Sequence, residues 1–89
     1  MGPVTGGLQT RRAAIGRIGE GRRRWRVMVE TWQETEDYCG RLLFCPDGAE
    51  PAPERESAAL LRGRSHEDIL NRAHELPEER LRRLLLSLG

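Results

Sequence analysis

Over residues 24–31, Trp25, Val27, Val29 and Thr31 alternate with Arg24, Arg26, Met28 and Glu30. A period of two in β-branched and aromatic side chains is the pattern of a strand with one face on a core. The acidic run 34–37 breaks the alternation and Gly40 restarts it. Arg41-Leu42-Leu43-Phe44-Cys45 then predicts a second strand, stopped by the turn signal Pro46-Asp47-Gly48. Residues 24–45 hold both tryptophans, the single Phe, the single Tyr and both cysteines, so this hairpin must supply about half of whatever core the chain has.

A chain of 89 residues is one small domain and buries only about 60% of its unfolded surface, so a sizeable uncovered apolar face calls for a partner. After the hairpin, residues 46–53 contain three prolines and a glycine and predict a loop of extended character. Segment 54–62 is ambiguous. Its helix formers, with Pro53 before and Gly63 after, suit a helix. An isolated hairpin, however, is marginal in water and gains from a third strand. We assign 54–62 as a third antiparallel strand, with helix as the competing assignment.

The C-terminal third is plainer. Ser65 suits an N-cap, and Glu67 and Asp68 suit the positive end of a helix dipole. Ile69, Leu70, Ala73 and Leu76 make the apolar stripe of a helix from His66 to about Leu76. Pro77 opens a second helix ending at Leu88, in which Leu81, Leu84, Leu85 and Leu88 recur at i, i+3, i+4, i+7. The expected fold is therefore α+β: a small antiparallel sheet of two or three strands followed by two C-terminal helices.

All 15 basic residues are arginine and none is lysine. Residues 1–26 carry seven Arg against Glu20, a balance of +6, which leaves −5 on residues 27–89 of a chain whose net charge is +1. Rich in glycine, residues 1–22 are expected to form a flexible arm ahead of a single domain at 23–89, so that deleting residues 1–20 would leave the thermal midpoint nearly unchanged. The longest apolar run there is Ala13-Ala14-Ile15, too short for a secretory signal. An Arg-rich terminus has the composition of an organellar transit peptide, but its glycines disfavour the helix such a peptide needs. No stretch approaches a membrane span of about 20 apolar residues. A cytoplasmic protein follows.

No enzyme is indicated. Cys39 and Cys45, six residues apart on one strand, would stand about 20 Å from each other at about 3.3 Å per residue, too far for a disulfide. Adding His66 and His74 gives the residue types of a zinc site, but not its paired spacing, and the two histidines lie about 12 Å apart along a helix. Ser65-His66-Glu67-Asp68 has catalytic residue types on helix positions that point in different directions, and capping explains Ser65 and Asp68. His66 and His74 are expected to be solvated. Residues 16–21 give G-x-x-G-x-G, the wrong order for a dinucleotide fingerprint. No cofactor, metal or small-molecule ligand is expected.

Two functions remain. Trp25, Val27, Val29, Leu42 and Phe44 make one face of the hairpin, which the helices can cover. Met28, Trp32, Leu43 and Cys45 point the other way, and Leu86 lies off its helix stripe. Two helices in one layer cannot cover both faces of a sheet. A non-enzymatic interaction module is therefore expected, acting through that face and the leucine-rich helix, with Met28, Trp32, Leu43 and Leu86 at a contact with a second copy or another protein. The competing account has arginine stems and the Pro-rich loop folding over the face. The alternative function is nucleic-acid binding through Arg11, Arg12, Arg17, Arg22, Arg23, Arg24 and Arg26, whose guanidinium groups can meet phosphates; the indole of Trp25 is in phase with the core instead.

Overall fold

The computed structural model describes residues 10–48 and 52–89. Three long strands form an antiparallel meander: β1 (Thr10–Glu20), β2 (Arg23–Glu34) and β3 (Asp37–Asp47). Two short strands, β4 (Arg55–Glu56) and β5 (Leu61–Gly63), pair with the outer edge of β3, opposite Leu43–Phe44 and Tyr38–Gly40 respectively. Helices α1 (His66–His74) and α2 (Glu78–Leu88) follow.

The central hairpin is where the alternation put it, though longer at both ends. Its loop is only Thr35-Glu36, with Glu34 opposite Asp37, so the acidic run is the turn and β3 starts before Gly40. Thr35 takes φ +57, a left-handed conformation suited to the tight two-residue hairpin. Pro46 lies inside β3 opposite Trp25, beyond the stretch that β4 pairs, where a missing N–H costs no ladder bond on that side.

Two expectations are corrected. The sheet has five strands rather than two or three, because segment 54–62 supplies two short ones and because a strand precedes the hairpin. Residues 10–20 are not a flexible arm but β1, paired with β2 along its whole length through the turn Gly21-Arg22. Composition hid it, since two glycines and four charged residues outnumber its four apolar ones. Ile18 opposite Trp25 and Ala13 opposite Val29 are nevertheless enough to give β1 a core face. A bulge between Ala14 and Gly16 shifts the phase, and this broke the alternation in sequence. The part of the proposed arm at residues 1–9 lies outside the described residues.

Both helices pack on one face of the sheet. Ile18, Trp25, Val27, Val29, Leu42 and Phe44 meet Ile69 and Ala73 of α1 and Leu81 and Leu85 of α2. Close approach of α1 depends on Gly40, where a Cβ would stand 2.5 Å from Ile69 Cγ2. Ser65 caps α1 by accepting from the Asp68 N–H at 3.0 Å, and the Asp68 carboxylate accepts from the Arg64 N–H at 3.0 Å. That second bond, assisted by Arg72, holds the Asp68 carboxyl below its ordinary range. Arg82 of α2 donates to the Gly19 carbonyl at 2.9 Å, tying β1 to the helical layer. Arg55 of β4 lies over the Trp25 ring at 4.7 Å and donates to the Leu85 carbonyl at 3.1 Å.

Candidate functional site

With both helices on one side, the pleat sends every other residue of the meander to the opposite, open face. Cross-strand partners there are Arg12, Glu30 and Arg41; Ala14, Met28 and Leu43; Trp32 and Cys39; Arg26 and Cys45. Glu30 is the centre. Only 4% exposed, it receives Arg12 Nε at 2.9 Å on one carboxylate oxygen and Arg41 Nε at 2.7 Å and Nη2 at 2.6 Å on the other. Burial alone would raise the Glu30 carboxyl, but the hydrogen bonds and charges of the two guanidinium groups override it and hold it below the usual carboxylate range. Arg41 also reaches Glu56 at 3.4 Å and lies 5.7 Å from the centre of the Trp32 ring, whose Nε1 donates to Glu34 at 3.3 Å. A carboxylate that fixes two arginines, one of them stacked on a tryptophan, makes a pre-ordered surface of the residue types enriched in interfaces.

The two ends of this face differ in charge. Toward the β1–β2 turn stand Arg24, Arg26 and Arg17, the last two directly opposite each other on adjacent strands. Like charges so placed repel. Asp47 pairs with Arg17 at 3.3 Å, while Arg24 and Arg26 have no carboxylate partner among the described residues. Toward the β2–β3 turn stand Glu34 and Asp37, opposite each other, with Glu36 in the loop between them.

The predicted interface residues are not brought together as one patch. Met28 and Trp32 are half-buried on the face opposite the helices, on either side of Glu30 along β2. Leu43 shares that face but is 0% exposed, covered by its own chain. Leu86 is 53% exposed on α2, in the other layer, so it is not continuous with them. The remaining leucines of α2 are spent on the core: Leu81 and Leu85 are buried, Leu84 and Leu88 half-buried. Leu60, 52% exposed between β4 and β5, carries no local signal of its exposure, because 57–61 reads as a continuous strand run. Arg41 lies over Trp32 on this face, while part of the Pro-rich loop that the competing account also invokes lies outside the described residues.

The arginines assigned to nucleic acid are distributed along a rigid hairpin. Arg12 is held by Glu30 and Arg17 by Asp47. Arg24 and Arg26 are on the open face, Arg22 is in the turn, Arg23 is half-buried, and Arg11 belongs to the helix side, opposite Thr31.

His66 is not solvated as expected. Its Nδ1 shares a hydrogen bond with the Thr31 hydroxyl, and its ring meets Tyr38 edge-on at 4.7 Å between centroids. Burial, with the nearby Arg11 charge, pushes the imidazole down. Thr31 is buried, so this hydroxyl fixes the start of α1 instead of facing solvent. His74 is exposed. Cys39, buried, and Cys45, half-buried, are free thiols on the face opposite the helices, across the sheet from His66, which separates the four residues considered for zinc. Among the described residues no three His, Cys, Asp or Glu side chains gather as a metal site. Burial and then Glu54, whose carboxylate lies 3.6 Å from the sulfur, raise the Cys45 thiol.

Fold and surface together define a two-layer α+β domain whose helices cover one face of the sheet, the other face being covered in part by the chain's own side chains. No protein family, curated protein or solved structure was found to match the chain. No helix among the described residues is long and apolar enough to cross a membrane.

Proposed function

We propose that the protein is a non-enzymatic interaction module whose open sheet face docks onto another protein surface. The observation that carries this is the Glu30 clamp. Two arginines fixed by one buried carboxylate, with Met28 and Trp32 beside them, lose little side-chain freedom on binding, so the contact avoids much of the usual ordering cost. The face is mixed rather than strongly apolar, which fits a non-obligate contact. Leucines of α2 serve the core, so the open face replaces the leucine-rich helix as the binding element. Two free thiols fit a reducing compartment such as the cytoplasm.

The test is retention of proteins on immobilised wild type, Trp32→Glu and Leu86→Glu chains. A protein held by wild type and Leu86→Glu but released by Trp32→Glu supports the open face. Retention indifferent to Trp32→Glu, with the variant folded, refutes it.

A further inference from the structure

The open face carries a charge pattern that selects one occupant. We infer that a second copy of this chain stacks on it face to face, about a two-fold axis perpendicular to the strands and passing near Glu30. This rests on the open-face proposal and names its partner.

With the strands of the two copies kept aligned, two placements of a two-fold axis bring this face onto itself. An axis along the strands lays like ends together, setting Arg17, Arg24 and Arg26 of one copy over the same arginines of the other. An axis across the strands reverses their direction and lays the basic end of each copy over the acidic end of its partner. Of the two, only the second lays unlike ends together; the row Arg12, Glu30 and Arg41 on the axis meets its own copy, where both guanidinium groups stay tied to their own Glu30. On β2, Arg26 and Glu34 are equidistant from Glu30, about 27 Å apart at about 3.4 Å per residue. Reversal about Glu30 therefore sets Arg26 against Glu34 of the second copy and Met28 against its Trp32, each contact occurring twice. The same geometry gives the Arg17·Arg26 repulsion a countercharge that the described residues of a single chain do not supply to Arg26. Packed sheets keep their strands within about 30° of each other, a deviation that long arginine side chains can span.

Arg26 and Glu34 are exposed, so both can be reversed without opening the core. Sedimentation equilibrium is measured on wild type, Arg26→Glu, Glu34→Arg and an equimolar mixture of the two variants, with thermal melts confirming that each is folded. Wild type is expected to self-associate at tens of micromolar. Each variant alone turns two attractive contacts into repulsive ones and should raise the dissociation constant by about tenfold or more. In the mixture every contact is again between opposite charges, and association should return toward the wild-type level.

Association lost in both variants and not restored on mixing overturns the reversed orientation, and leaves the open-face proposal standing if Trp32→Glu also abolishes it. Wild type sedimenting as one chain removes the second copy as occupant; protein retention sensitive to Trp32→Glu would then still support the face. Binding of a labelled oligonucleotide that Arg26→Glu abolishes, with no self-association, assigns the basic end to phosphate and overturns the inference.

Discussion

Glu30→Gln keeps the shape of the central side chain and removes its charge. The wild-type carboxylate accepts three guanidinium N–H groups within 2.9 Å. Hydrogen bonds to a charged group contribute about 1.5–3 kcal/mol each when fully buried. Here the side chains of Arg12 and Arg41 are 49% and 33% exposed, so on losing the carboxylate both can turn to water, and much of that energy is recovered. Gln still offers an oxygen to Arg41, while its amide group faces Arg12 with a donor. The expected loss is about 1–2 kcal/mol at neutral pH. Because the folded carboxyl is held below its unfolded value, its contribution is complete above the unfolded range of about pH 4.3 and is lost as pH falls through the lower folded value. Urea unfolding of wild type and variant at neutral pH and below about pH 3 measures this, and the gap between them should narrow on acidification. Equal stability at neutral pH, or a gap unchanged by acid, would show that the clamp does not hold Glu30 ionised.

Gly40→Ala should destabilise by about 1–3 kcal/mol in the same assay, since the new methyl meets the fully buried Ile69; no loss would mean that α1 sits farther from β3. Leu85→Ala, at a fully buried position joining α2 to the sheet, should cost about 2–5 kcal/mol; a loss under about 1 kcal/mol would mean that α2 is loosely docked. Deleting residues 1–20 should lower the thermal midpoint sharply, reversing the expectation drawn from composition, because it removes β1 and the buried Ile18. A midpoint unchanged by the deletion would detach β1 from the fold.

What could be read from sequence depended on how much of each signal was local. Trp25, Val27 and Val29 in strict alternation, the Ser65 cap, and the leucine spacing after Pro77 each carry their meaning within one turn or one strand, and each is found where expected. β1 was missed because the bulge after Ala14 moves its apolar residues out of phase, and because Gly16, Gly19 and Gly21 resemble a linker. Its stability comes from pairing with β2 and from the Arg82 bond to Gly19, both non-local. The open face was legible from Met28 and Trp32 alternating against Val27 and Val29. Its centre was not, because Glu30 becomes important only when the register sets it between Arg12 and Arg41, 18 and 11 residues away. The same holds for His66, whose partner Thr31 lies 35 residues earlier.

The most direct measurement is sedimentation equilibrium of wild type beside Trp32→Glu at matched concentrations in the tens of micromolar. Trp32 is half-buried at the middle of the proposed contact, and a carboxylate there should be tolerated by the folded chain but not by a face-to-face pair. A wild-type mass approaching two chains, with the variant at one, is expected. Identical masses for the two folded proteins would contradict self-association through this face of the sheet.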